Sequence, residues 1–290
     1  MISPTRPTDP ARLRELVHVL RGRRVVVVAG AGCSTESGIP DYRGPEGSLQ
    51  RRSPIRYGEF VRRPGARTRY WARSAVGWPR MSATLPNAAH RALAELEAGG
   101  VVQGVITQNV DGLHHAAGSR RVVELHGTLS QVVCLECGGR VVRDAFQERL
   151  LDRNPGWLDG LADARRRAET APDGDAELDG VAVEGFRVPG CDRCGGIMKP
   201  DVVLFGETVP ADRVETAWRL FDEGDAVLVV GSSLAVYSGR RFIYRARDGD
   251  VPIAVVNLGP TRADDVAAAK VEDRVGRALP RIARALLPRA

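Results

Sequence analysis

Lysine is almost absent from this chain: of 42 basic side chains among 290 residues, only Lys199 and Lys270 are not arginine. The net charge of +6 is therefore an arginine charge. Beside abundant Ala, Gly, Val and Pro it reads as the coding bias of a GC-rich bacterial genome, not as a surface selected for phosphate contacts, and no direct nucleic-acid binding is expected. Long apolar runs are also missing. None approaches the roughly 20 residues of a membrane span. The first twenty residues lack the uninterrupted apolar core of a signal peptide, and Asp9 and Glu15 argue against an organelle presequence. A cytoplasmic protein is expected. With 43% hydrophobic residues the chain can build a sizeable core in one or two domains.

Short β-branched runs ending in glycine or polar residues alternate with helical patterns, as in a parallel α/β sheet. "RRVVVVAGAG", "VVQGVITQN", "RVVELHG", "DAVLVVGSSL" and "VPIAVVNLG" are the strand candidates. Ligands of open α/β sheets sit at the carboxyl ends of such strands. "PNAAHRALAELEAGG" reads as a helix, capped by Asn87, with Ala89, Leu93 and Leu96 on one face and Gly99 and Gly100 as its stop. Two segments break the rhythm. Residues 45–83, arginine-rich with Tyr57, Phe60, Tyr70, Trp71 and Trp78, read as a small helical insertion. Residues 133–199 hold four of the five cysteines around an acidic stretch, "APDGDAELDG", that reads as a surface loop.

"CLEC" (Cys134, Cys137) and "CDRC" (Cys191, Cys194) are each followed by Gly-Gly. Two such turns offer four thiolates to one tetrahedral Zn2+, and a closed shell of four makes that zinc structural. Redox pairs or disulfides are the rival readings.

"VVVVAGAGCSTESGIPDYRG" opens as a dinucleotide site would, with Gly30 and Gly32 letting backbone amides approach a pyrophosphate. It then departs from the dehydrogenase fingerprint, because Thr35 stands where a third glycine is due. A tight structural turn explains a bare GxG equally well. The polar groups of Ser34, Thr35, Glu36 and Ser37 and the "GIPDYRG" loop are more than a turn requires.

"GAGCSTESGIPDYRG", "TQNVDGLHHAAG", "ELHG", the paired CxxC, "KPDVVLFGE", "GSSL" and "VNLGPTRAD" occur in an order that resembles the sirtuin family of NAD-dependent protein lysine deacylases, over about residues 14–287. "NPGW", "APDGD", "VYSGRRF" and "LGPTRADD" are similar to its class II branch. The resemblance implies a Rossmann-like parallel-sheet large domain (14–44, 84–132 and 200–290). It also implies a small domain made of the helical insertion 45–83 and the zinc module 133–199, with a cleft between the two for NAD+ and acyl-lysine protein substrates. It implies acyl transfer to ADP-ribose with release of nicotinamide and no protein nucleophile. Mono-ADP-ribosyl transfer to protein and lipoamidase-type deacylation stay open as alternatives.

Three of the five histidines lie between positions 114 and 126. The resemblance makes His126 the general base, a role suited to an imidazole that titrates near neutrality and so can accept a ribose proton without being permanently charged. Asn109 is the second catalytic residue, ordering water or ribose oxygens. His114 and His115 read as structural, as do His18 and His90. For NAD+ the resemblance implies Gly30, Ala31, Gly32, Ser34, Thr35, Ile39, Asp41, Tyr42 and Arg43 on the first loop. It adds Gln108, Asn109, Val110 and Asp111 on the second, although Asn and Asp also suit a turn before Gly112. Gly231, Ser232, Ser233, Asn257, Leu258, Gly259 and Val275 complete the set. Leu204, Phe205, Gly206 and Glu207 with the segment from Ala235 to Gly239, Val236 and Tyr237 foremost, would hold the peptide by strand addition. The desuccinylating branch holds an acid with a Tyr-x-x-Arg pair. Here Ser48 takes the Tyr place, beside Leu49, and Arg51 follows, so neutral acyl groups are expected to be preferred over succinyl.

Overall fold

The computed structural model describes residues 9–43, 54–158 and 185–288, together with Gly174 and Val183. In chain order its strands are β1 (Val25–Ala29), β2 (Val102–Thr107), β3 (Val122–Glu124), β4 (Gly127–Cys134), β5 (Arg140–Val142), β6 (Met198–Val202), β7 (Ala226–Val230), β8 (Ile253–Val256) and β9 (Ala269–Val271). The helices are α1 (Pro10–Leu20), α2 (Tyr57–Arg62), α3 (Pro64–Ser82), α4 (Ala88–Ala98), α5 (Leu113–Ala116), α6 (Arg143–Asp152), α7 (Ala211–Phe221), α8 (Tyr237–Asp248) and α9 (Val275–Leu286).

Every residue of β1, β7 and β8 is buried, as β-branched runs without a polar face require. They sit centrally in a six-stranded sheet of order β3-β2-β1-β7-β8-β9, parallel throughout. The chain leaves β1 for β2 on one side and returns to β7 on the other. That reversal opens a crevice between the carboxyl ends of β1 and β7, where such sheets bind ligands. Leu16, Leu93 and Leu279 of α1, α4 and α9 cover one face, and Leu220 and Phe242 of α7 and α8 the other. The expected Rossmann-like sheet is present, with all five expected strands in it. The sixth, β9, is three residues long and carries no periodicity to betray it.

A second core gathers Phe60, Trp71, Phe146, Leu129 and Met198. Trp71 Nε1 donates to the Met198 carbonyl at 3.1 Å, tying α3 to the antiparallel sheet β5-β4-β6. β4 and β6 both run across the limits drawn from sequence at 132/133 and 199/200, so the small sheet is continuous with the segment that carries His126. The described part of the insertion is helical, as α2 and α3. Residues 44–53, with Ser48, Leu49 and Arg51, and nearly all of the acidic stretch, lie outside the described residues.

Candidate active site and metal centre

The loops after β1 and β7 touch backbone to backbone. Gly32 N–H donates to Gly231 O at 2.8 Å, and a Cβ on Gly32 would stand 2.9 Å from that same oxygen. Gly231 has φ +57°. A side chain on either would force the loops apart, so the glycines of "GAG" and "GSS" are mutual requirements. Behind them Asn109 Nδ2 donates to Gly30 O and to Ser34 Oγ, both at 3.1 Å. The Ser34 hydroxyl passes the chain on to Asp111 Oδ2 at 2.6 Å, and Asp111 Oδ1 accepts from Leu113 N–H at 3.0 Å. Burial pushes the Asp111 carboxyl up, and these two donors hold it partly down.

His126 follows β3, whose carboxyl end faces the same crevice. Its Nδ1 lies 3.0 Å from the Gln108 carbonyl oxygen and its Nε2 2.7 Å from Ser238 Oγ. A carbonyl can only accept, so Nδ1 carries the proton and Nε2 holds the lone pair. Burial lowers this imidazole to about 4, the Gln108 carbonyl opposes the shift, and Arg213 and Arg241 add to it. The ring is neutral at pH 7. The glycine of "HG" is also explained: Gly127 has φ +80°, and a Cβ there would collide with the Asp201 carbonyl.

These elements surround a cleft of about 930 Å³. Its walls include Ala31, Gly32, Ser34, Ile39, Asp41, Tyr42 and Arg43 from the first loop, and Gln108, Asn109, Val110, Asp111 and His126 from the second and third strand ends. Gly231, Ser232, Ser233, Asn257, Leu258 and Gly259 also line it, as do Leu204–Glu207 with Val236 and Tyr237. Three expected residues are not on the wall. Gly30 lies behind it. Thr35 is exposed and turns its Oγ1 to Gly32 O at 3.1 Å, and Val275 is buried at the start of α9 in the core. Ser238, Arg241 and Tyr70 also line the cleft; Ser238 was expected only as part of a peptide-pairing segment, the other two not at all. The first two belong to "VYSGRRF", but no local pattern aims either at His126. On the peptide side, Leu204 spends its N–H on Glu207 Oε2 (2.8 Å) and its carbonyl on Glu207 N–H (2.9 Å). Lys199 Nζ secures the same carboxylate at 3.1 Å.

Cys134, Cys137, Cys191 and Cys194 converge, their sulfurs all within 4.8 Å of one another, with 3.5 Å between Cys134 and Cys194 and 3.7 Å between Cys137 and Cys191. A tetrahedron of sulfurs about 2.3 Å from zinc has edges of about 3.8 Å, so the donor set fits that metal. The two turns are alike. Gly138 and Gly195 take φ +67° and +74° and return their N–H groups to Cys134 O and Cys191 O at 3.0 and 2.7 Å. None of the four is in a disulfide. These cysteines can hold a structural zinc.

Cys33, His90 and His114 form a second close group, fully buried. His90 Nδ1 accepts the Asn87 N–H at 3.3 Å in the capping box of α4. That bond leaves the proton on Nε2, so the ring presents an N–H rather than a lone pair to its neighbours. Burial lowers His90 to about 4 and His114 to about 3. Their rings pack edge to face, 4.8 Å apart.

A parallel sheet with its ligand crevice at the switch point, a neutral imidazole on the crevice wall and a four-cysteine module beside it define an α/β nucleotide-site enzyme with a zinc-type small domain. Residues 30–238 match the family model described as "Sir2 family", and the chain belongs to that family. It is 52% identical over 272 residues, covering 94% of this chain and 90% of the relative, to the "NAD-dependent protein deacetylase" of Xanthomonas campestris pv. campestris (strain 8004). It is 48% identical to the bovine "NAD-dependent protein lipoamidase sirtuin-4, mitochondrial", covering 97% and 89%. Among solved structures it resembles a Sir2 enzyme with p53 peptide and NAD+ at 30% identity and TM-score 0.72, covering 94% of this chain and 97% of that one.

Proposed function

We propose that this chain is an NAD-dependent protein lysine deacylase that transfers the acyl group of a modified lysine to ADP-ribose and releases nicotinamide. The observation that carries the reading is His126, a neutral imidazole on the wall of the cleft whose tautomer is set by the Gln108 carbonyl, with its Nε2 lone pair on the Ser238 hydroxyl. NAD+ supplies an activated ribose carbon and a leaving group, so the protein needs no nucleophile of its own. Its residues bind, orient and move one proton. Gly32 and Gly231 let backbone amides close on phosphate oxygens, with Ser232, Ser233 and Asn257 as polar company. Asn109 and Asp111, locked through Ser34, hold the nicotinamide-ribose end, and Ile39, Asp41, Tyr42 and Arg43 cover it, which keeps water from the reacting carbon. His126 takes the proton of a ribose hydroxyl. Leu204–Glu207 and Val236–Tyr237 flank the peptide, but not as two pairing strands: Phe205 O already accepts from Tyr57 N–H at 3.0 Å, and Val236 O accepts from Arg240 N–H at 3.2 Å where α8 begins. A zinc held by Cys134, Cys137, Cys191 and Cys194 would have no position left for water and would serve to hold the small domain together.

The likeness to sirtuin-4 supports a class II enzyme, with lipoyl-lysine among its substrates and protein mono-ADP-ribosylation as a second reading. A cytoplasmic setting agrees with bacterial relatives and with the absence, among the described residues, of a helix long and apolar enough to cross a membrane. The test is a mass-spectrometric screen of acetyl-, octanoyl-, lipoyl- and succinyl-lysine peptides of one sequence, with and without NAD+. Loss of acyl mass only with NAD+ supports the reading. ADP-ribose added to protein with every peptide untouched would replace it by the transferase alternative.

A further inference from the structure

Both ring nitrogens of His126 are occupied, and the two partners differ in kind. The Gln108 carbonyl accepts at Nδ1 whatever the charge of the ring. Ser238 Oγ, 2.7 Å from Nε2, must donate while the imidazole is neutral, because Nε2 then has only a lone pair. While Ser238 fills the single lone pair of Nε2, a ribose proton reaches the ring only through that hydroxyl: Oγ takes the ribose proton as its own passes to Nε2, and Oγ then accepts from Nε2–H without any movement of heavy atoms. Arg213 and Arg241 both oppose a cation at this ring.

The backbone that carries Ser238 is closely seated. Ser238 is buried in the first turn of α8 and lines the cleft. Its neighbour Gly239 lies against the Gln108 side chain so closely that a Cβ would stand 2.5 Å from Nε2 of that amide. Gln108 Oε1 in turn accepts from the Ser232 hydroxyl at 2.8 Å. One residue, Gln108, therefore fixes the imidazole through its backbone and seats the start of α8 through its side chain. The "SG" of "VYSG" becomes the back wall of the base.

We propose that Ser238 relays the ribose proton to His126: its hydroxyl orients the neutral ring by donating to Nε2, hands that proton over as its oxygen takes the proton of the ribose hydroxyl, and then accepts from Nε2–H. This rests on His126 being the base. Losing a hydrogen bond made to a charged group slows the step that creates the charge, by about 10- to 100-fold. Steps before proton transfer are untouched.

The experiment compares Ser238→Ala, Ser238→Thr and His126→Ala in the full chain by two assays, nicotinamide exchange into NAD+ with acetyl-peptide, and acyl-ADP-ribose formation. Ser238→Ala is expected to keep exchange and both KM values within about twofold while kcat for acyl-ADP-ribose falls at least about 10-fold, and Ser238→Thr to recover most of it. Wild-type turnover by Ser238→Ala beside an inactive His126→Ala overturns the proposal and leaves the base standing. An equal fall of exchange and turnover, unrescued by Thr, also overturns it, because it marks a merely structural serine. Full turnover by a folded His126→Ala removes the base and the proposal together.

Discussion

The Ser34 hydroxyl lies 2.6 Å from the Asp111 carboxylate, joining the loop after β1 to the loop after β2 inside the cleft. Asp111 is already pushed towards its neutral form by burial, so this donor is one of the groups that keep it charged. Ser34→Ala should raise the Asp111 pKa further and release Asn109 from one of its two partners. The net loss is about 1–3 kcal/mol, read by calorimetry as NAD+ binding weakened about 5- to 150-fold. Unchanged affinity would show that Asp111 and Asn109 do not meet the cofactor.

The buried pair His90 and His114 makes stability depend on acid. Both titrate in the folded chain far below the ordinary value of 6.5, at about 4 and about 3. Between pH 6.5 and those values the unfolded chain binds protons that the folded chain refuses, so stability is complete above pH 6.5 and falls as pH drops. At pH 5 the loss is about 2 kcal/mol for each ring. The melting temperature should therefore fall from pH 7 to pH 5, and His114→Gln should flatten that slope. Equal slopes in the two proteins would contradict the assignment.

Zinc removal tests the small domain. Binding to structural sites of this type contributes about 10–16 kcal/mol in peptides and is coupled to folding. Metal analysis of protein purified without chelators should give one zinc per chain. Cys191→Ser should lose the metal, loosen the β5-β4-β6 sheet and lower activity through the β4 strand that follows His126. Full activity and melting behaviour after exhaustive chelation would contradict a structural metal.

Gly127 makes the sharpest backbone test. A side chain there is strained by φ +80° and meets the Asp201 carbonyl as well. Gly127→Ala should cost about 2 kcal/mol or more in urea unfolding and displace His126 from Gln108, with turnover falling further than stability alone explains. A neutral effect on both would mean that β4 and β6 part easily at this point.

The strand ends were legible because the chemistry is local: a buried valine run, a glycine pair or an Asn-Val-Asp turn announces itself within a dozen residues. "CLEC" and "CDRC" were legible for the same reason. Ser238 was not, because its meaning lies in a contact with a histidine 112 positions earlier, and helix propensity says nothing about that. β9 was missed since three residues at a sheet edge carry no period. Val275 was expected at the cofactor, yet it is apolar, begins α9 and is buried in the core, where an amphipathic helix puts such a residue.

The central claim is that His126 serves an NAD-dependent acyl transfer in this cleft. Its most direct test follows one acetyl-lysine peptide by mass spectrometry while nicotinamide is counted in the same reaction, for the wild-type chain and for His126→Ala. The account predicts one nicotinamide released for each lysine freed, acyl-ADP-ribose as the partner product, no reaction without NAD+, and loss of acyl-ADP-ribose formation in a folded His126→Ala that still binds NAD+. Deacylation without NAD+, or undiminished turnover by that variant, would contradict it.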